Sequence, residues 1–380
     1  MSNTETGGFT VRRFTVILGF ALLAVTSAQA QRGSWQSEIG VQGGYARVKP
    51  AGTGANDYID VFGVPGTNYV FGLLSYGSLY AILPWRDKIA VEPSFVATQA
   101  QSGVNGLSTA RVGLRLDYAL TPKIYAAAGG VLVYLEQGGT HQTALGVQAA
   151  LGYRMRLTDR LNGRVEASVA FTKNTDQISA FDDYALLFGV SSRLGGAAPA
   201  RRAATNQAWS PMIGLQGGYT RTHFVGAGGS DLTAISVPGF GSSLTSIGTA
   251  SMVPPTLFAV FPMGRKAAIE PGLNIDRIQS GGATGFSANL SARVDYAVSG
   301  NWYAAAGGNL NYIKATTGTY GKESGTVVGL NLAWGLRYHV SGDLGGRVEL
   351  NYTMYGKNKD LPVPPQNITS VLVGLTMPLK

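Results

Sequence analysis

Along most of this chain apolar residues recur at every second position. Val112, Leu114, Leu116, Tyr118 and Leu120 alternate with Arg111, Gly113, Arg115, Asp117 and Ala119. Val147, Ala149, Leu151, Tyr153 and Met155 alternate with Gln148, Ala150, Gly152, Arg154 and Arg156. Leu330, Leu332, Trp334, Leu336 and Tyr338 alternate with Asn331, Ala333, Gly335, Arg337 and His339. A period of two gives a strand one apolar face, whereas a helix would scatter the same residues around its cylinder. In the first half the pattern predicts eight strands, near residues 37–48, 76–85, 88–101, 108–120, 123–136, 143–157, 161–173 and 183–194. Short turns such as Thr121-Pro122-Lys123 join alternate pairs, and longer loops join the rest, the longest at about 50–75.

The second half repeats the first. Trp35 leads into Ile39-Gly40-Val41-Gln42-Gly43-Gly44-Tyr45, and Trp209 into Ile213-Gly214-Leu215-Gln216-Gly217-Gly218-Tyr219. Ala90-Val91-Glu92-Pro93 returns as Ala268-Ile269-Glu270-Pro271, and Arg115-Leu116-Asp117-Tyr118-Ala119 as Arg293-Val294-Asp295-Tyr296-Ala297. The run from Tyr125 to Gly130 returns at Tyr303 to Gly308, and Gly163-Arg164-Val165-Glu166 as Gly346-Arg347-Val348-Glu349. Ordered matches in one register indicate a tandem duplication. The first repeat is assigned to residues 31–194 and the second to 208–380. Residues 195–207, rich in small residues with Arg201 and Arg202, form an expected linker. Residues 1–30 are an expected secretory signal peptide: Arg12 and Arg13, an apolar run from Phe14 to Thr26, then a small-residue cleavage site at Ala28-Gln29-Ala30.

Composition narrows the class. Only 13% of the 380 residues are charged and 53 are glycine, against about 25% charged and about 7% glycine in an average protein. The chain is nevertheless 45% hydrophobic and 10% aromatic, too apolar for disorder. It has no cysteine and three histidines, which removes disulfides, thiolate metal sites and a cysteine nucleophile, and makes a histidine metal site unexpected. No phosphate-binding glycine loop opens a helix, so no cofactor and no nucleic-acid partner is expected.

One strand face carries Leu, Val and Tyr, and the other Gly, Ala and a few charges. In water the first face would be a large exposed patch; against lipid it is satisfied. Inward glycines such as Gly40, Gly44, Gly113 and Gly152 suit a narrow closed barrel. Each repeat therefore resembles the small eight-stranded outer-membrane barrels of the OmpA/OmpX type, the outer membrane protein beta-barrel domain family. The resemblance implies an all-β, transmembrane antiparallel β-barrel in the outer membrane of a Gram-negative-type bacterium, with outer-membrane lipid and the assembly machinery as partners. Members of that family end on an aromatic residue; this chain ends Met377-Pro378-Leu379-Lys380. Two closures fit the pattern: two eight-stranded barrels in tandem, or one sixteen-stranded porin-like barrel.

The inward charges are the candidate chemistry. Glu92, Arg115, Asp117, Arg154, Arg164 and Glu166 all lie a few residues from the short turns, and so at one height inside the barrel. The second repeat carries Glu270, Arg293, Asp295, Arg337, Arg347 and Glu349. Three positive and three negative charges per repeat suggest an interlocking salt-bridge plug, because buried charges are tolerated when paired. A charge-lined, solute-selecting constriction is the alternative. A catalytic carboxylate pair is the weakest reading, and the histidines at 141, 223 and 339 do not repeat, so no enzyme is expected. Tyr118, Tyr153, Tyr296 and Tyr338 read as an interfacial girdle, and Asp182-Asp183 as a solvated loop tip.

Overall fold

The computed structural model describes residues 35–50, 58–64, 79–102, 105–137, 140–158, 161–173, 175, 181–194, 208–225, 231–236, 257–280, 283–317, 321–341, 344–358 and 365–379. The expected signal peptide, the linker and most of the long loops lie outside these residues. Among the described residues there is no helix; the regular structure is β-strand joined by antiparallel pairing.

The first repeat contributes β1 (Glu38–Pro50), β2 (Ile59–Val64), β3 (Leu79–Arg86), β4 (Ile89–Ser102), β5 (Asn105–Ala119), β6 (Ile124–Gln137), β7 (Thr140–Arg156), β8 (Leu161–Thr172) and β9 (Phe181–Arg193). The second contributes β10 (Met212–Phe224), β11 (Leu232–Ser236), β12 (Leu257–Pro262), β13 (Ala267–Ser280), β14 (Ala283–Ser299), β15 (Trp302–Thr317), β16 (Gly321–Ser341), β17 (Leu344–Tyr355) and β18 (Gln366–Pro378). Eight strands of the first repeat match the sequence expectation closely. The ninth of the first repeat, β2, falls in the stretch expected to be the longest loop, and β11 is the strand added to the expected eight in the second. Two connections read as long are short: β4 ends at Ser102 where β5 begins at Asn105, and β6 ends at Gln137 where β7 begins at Thr140. These strand ends are rich in Ser, Thr, Gln and Asn, so the apolar alternation fades although the ladder continues.

The lower half, at the short turns read from the sequence, contains two rings of eight. β1 pairs β9, each strand from β9 back to β4 pairs its predecessor, and β3 returns to β1 through Glu38 opposite Ile82 and Val41 opposite Leu79. In the second repeat β10 pairs β18, the ladder runs back to β12, and β12 returns to β10 with Met212 opposite Val260.

The upper half is different. There β2 replaces β3 alongside β1, with Gly44 opposite Gly63 and Val48 opposite Ile59. The other edge of β2 pairs with β13 of the second repeat, Gly63 opposite Asp276. Reciprocally, β11 pairs β10 on one edge and β4 of the first repeat on the other. Following these ladders gives one ring at the upper level: β1, β2, β13 to β18, β10, β11, β4 to β9, and back to β1. The two closures left open by the sequence thus occur at different heights. Two eight-stranded rings form one end, and a sixteen-stranded ring forms the other.

The faces follow the pleat. Leu114, Leu116 and Tyr118 of β5 point outward and are exposed, at 58%, 47% and 46%, whereas Arg115 and Asp117 between them, and Arg111 before them in the same phase, are buried. The same inversion of a soluble sheet runs through β7, β14, β16 and β18, whose exposed residues include Leu145, Val147, Leu290, Val328, Leu330, Val371 and Val373.

Candidate functional site

Antiparallel pairing places Glu92 of β4 opposite Arg115 of β5, and Arg154 of β7 opposite Arg164 of β8. Because the first ring is only eight strands around, residues far apart in sequence meet across its axis. Arg115 reaches Glu92 at 2.9 Å, Asp117 at 3.0 Å and Glu166 at 2.5 Å. Arg164 reaches Glu92 at 2.5 Å, lies 4.0 Å from Glu166, and donates to Gln42. The Tyr125 hydroxyl donates to Glu166 at 2.5 Å. All five charged residues are buried.

The second repeat rebuilds this arrangement almost atom for atom. Arg293 reaches Glu270 and Asp295 at 3.0 Å and Glu349 at 2.5 Å. Arg347 reaches Glu270 at 2.5 Å, lies 4.0 Å from Glu349, and donates to Gln216. The Tyr303 hydroxyl donates to Glu349 at 2.8 Å. Each cluster has three carboxylates and two guanidiniums, so the one-to-one balance expected from sequence does not hold within it. Two planar guanidinium forks each bridge several acids, an arrangement suited to arginine rather than lysine.

Arg154 and Arg337 do not join these clusters. Arg154 lies at the ring mouth, where it donates to Glu38 at 2.5 Å and stacks 4.5 Å from the Trp35 ring. Glu38 also accepts from Asn162 and Ser191. In the second repeat Arg337 donates to the Ala208 carbonyl at 2.7 Å and stacks 3.9 Å from Trp209. The residue on β10 corresponding to Glu38 is Met212, so the acid itself is not repeated.

Aromatic rings cap both clusters, and sequence reasoning did not assign them. Trp35 donates to the Lys88 carbonyl at 3.0 Å and meets Tyr125 edge-on at 5.5 Å. Trp209 donates to the Lys266 carbonyl at 2.8 Å and meets Tyr303 edge-on at 5.5 Å. Arg164 lies over Tyr80 at 3.5 Å, and Arg347 over Phe258 at 3.4 Å. The available signal was the repeated Trp ahead of each first strand. The rings bury apolar bodies while offering π-faces to the guanidiniums.

Above the clusters the repeats diverge. In the first, Arg111 pairs with Asp183 at 2.7 Å, both buried. Asp183 is therefore an interior residue of β9 rather than part of a solvated tip. Val48, Val131, Val133, Leu135 and Phe181 fill the level around it. In the second, Asn309 and Asn311 stand six and eight residues past Tyr303, where Val131 and Val133 stand past Tyr125. Asn331 donates to Asn351 and Thr353 at 2.9 Å and 2.8 Å, and Asn351 donates to Glu349 at 3.1 Å. Ile313, Val327, Tyr355 and Ile368 pack as an apolar cluster around the same end.

On the outer face near the upper ends, Asp60 accepts from Arg47 at 2.7 Å and from Tyr45 at 2.5 Å. Asp231 accepts from His223 at 2.8 Å and also from Arg221. The His223 and Arg221 hydrogen bonds hold the Asp231 carboxyl below its ordinary range. Tyr118, Tyr153, Tyr296 and Tyr338 are exposed on the outer face. Among the described residues no group of histidine and acid side chains is arranged to hold a metal ion.

No protein-family model matches the chain, and no curated protein matches it. Solved structures with similar strand arrangements include Ail, the attachment invasion locus protein of Yersinia pestis, at 12% identity and a TM-score of 0.25, over 42% of this chain and 99% of that one. The CymD monoaromatic hydrocarbon channel gives 10% identity and a TM-score of 0.31, over 95% and 92%. OmpT, an outer membrane protein of Vibrio cholerae, gives 10% identity and a TM-score of 0.25, over 77% and 98%.

Proposed function

We propose that this is a non-enzymatic integral outer-membrane β-barrel protein with a structural or surface-interaction role, its two lower rings closed to solute by salt-bridge layers. The location rests on the outward Leu, Val and Tyr faces, which only a lipid environment satisfies, and on closure of the ladders, which leaves no unpaired edge in the lower rings. The lipid of the outer membrane and its assembly machinery are the partners this reading requires.

The observation that carries the closed state is the repeated cluster in which Arg115 and Arg164, and again Arg293 and Arg347, bridge buried carboxylates across the ring axis. A passive pore for small hydrophilic solutes is the second reading, favoured by the sixteen-stranded upper ring. Against it stand the salt-bridge layers that cross both lower rings, with apolar side chains around Val133 and Val327 packed above them.

Single-channel recording of the refolded mature protein in a planar bilayer separates the two. The closed reading expects silence or rare small flickers; large, long-lived steps would establish the pore instead. Charge reversal at Arg115 gives an independent measure. R115E places a fourth negative charge among Glu92, Asp117 and Glu166, and breaking a buried pair costs about 3–5 kcal/mol. A large fall in the unfolding midpoint is expected. An unchanged midpoint with altered ion selectivity would sink the plug.

A further inference from the structure

The two strands that sequence periodicity misses are the two that pass between repeats, and their registers can be compared. Gly44 and Gly218 occupy the same place in the repeated Gly-Gly-Tyr motif. Gly44 is opposite Gly63, and Gly218 is opposite Ser236, so Gly63 and Ser236 are equivalent positions. Across the seams Gly63 is opposite Asp276, and Ser236 is opposite Thr98. Asp276 follows Glu270 by the same spacing as Thr98 follows Glu92. The two seams therefore share one register, as a two-fold, isologous interface requires.

We propose that this reciprocal strand exchange, and not the linker, holds the two repeats together as one body, and that the partner each seam fits is a second copy of the same repeat in this one register. The upper parts of β4 and β13 need a strand against them, because bare edges attract other strands and cannot be left in a membrane, and in this structure the exchanged strands supply it. Each exchanged strand is also tied to its own first strand. Arg47 and Tyr45 hold Asp60 on β2, and Arg221 and His223 hold Asp231 at the start of β11. The exchanged strands are thus fixed to one repeat on one edge and lent to the other repeat on the opposite edge. An alternative closure uses the same register within a repeat: β2 would turn to β4, bringing Phe62 opposite Gln99 instead of Arg277. Backbone bonding is equivalent in the two closures, so cross-linking must distinguish them.

The chain has no cysteine, which makes engineered pairs unambiguous. The experiment uses the full mature chain, refolded into phosphatidylethanolamine–phosphatidylglycerol vesicles, with a protease recognition sequence placed in the 195–207 linker. F62C/R277C reports exchange, because Phe62 is opposite Arg277 across the seam. F62C/Q99C reports self-closure. Facing antiparallel residues have Cα atoms about 4.5–5.5 Å apart, within disulfide range. Copper-phenanthroline with dioxygen takes two electrons and two protons from the two thiols and leaves one disulfide.

After linker cleavage and oxidation, F62C/R277C should yield a full-sized band on non-reducing denaturing gels, whereas F62C/Q99C should yield two half-sized bands, the first with both thiols still open to a polyethylene-glycol maleimide that shifts its mobility, a shift that a self-closing disulfide would abolish. The cut, unsubstituted protein should run unheated as one folded species and separate only on boiling. Cross-linking by F62C/Q99C alone, or by neither pair in protein that still folds, overturns the proposal. So does separation of the cut halves while each remains heat-modifiable. If a cysteine variant fails to fold, the cut unsubstituted protein decides alone.

Discussion

At the scale of the residue, Gly152 and Gly335 make room for the tyrosines that complete the charge clusters. A Cβ at Gly152 would come within 2.2 Å of the Tyr125 ring, and one at Gly335 within 2.3 Å of the Tyr303 ring. G152A must displace the phenol that donates to Glu166, and overpacking of this kind costs about 1–3 kcal/mol. A lower urea midpoint for the loss of the folded, unheated gel band is the expected result. The second repeat's amide chain is equally exposed to test. N331L removes the donor that Asn351 and Thr353 share, leaving buried acceptors short of a partner at about 1–3 kcal/mol. Its unfolding midpoint should fall. The residues of the two clusters were legible in sequence because each motif appears twice with inward phase. Glu38 and the Arg111–Asp183 pair were not, because neither is repeated and each forms only when distant strands face one another across the ring.

At the scale of the element, Gly44 and Gly218 mark where a strand changes partner. Their φ angles are 154° and 157°, and an added Cβ would come within 2.2 Å of the Leu186 carbonyl oxygen and 2.1 Å of that of Val371. Below this point β1 pairs with β3 through Val41, and from Gly44 upward it pairs with β2. The glycine conformation falls at the hand-over in both repeats. Forcing a side chain into such a backbone costs about 1–3 kcal/mol. G44A should therefore lower the yield of the F62C/R277C disulfide relative to the same pair with Gly44 retained. The repeated Gly-Gly-Tyr motif was visible in sequence, but its meaning was not. β2 and β11 are six and five residues long. Segments so short show too few alternations to reveal a period, and they become strands by the neighbours that hydrogen-bond their edges.

At the scale of the whole molecule, the apolar belt and the two-tier ring set the remaining expectations. Leu114 lies in the outward row of β5 and is 58% exposed. An arginine on the lipid face near the bilayer midplane costs about 2–4 kcal/mol. L114R should shift the folding equilibrium in vesicles by that order, while Gln at Thr109, an inward position, should not reproduce the effect through lipid. A soluble sandwich would tolerate L114R, so an unchanged equilibrium would count against the membrane reading.

Strand content and the inward and outward faces were settled by local order in the chain, and the recurring motifs pointed to the residues that meet in the charge clusters, Arg154 and Arg337 excepted. Alternation and repetition are properties a single strand carries by itself. How the strands close is not such a property. An exposed edge on β4 is satisfied equally well by β2 or by β11, because backbone hydrogen bonds do not distinguish one copy of a repeat from the other. Only the tertiary structure decided that the lower strands return to their own repeat and that the upper ones cross to the other.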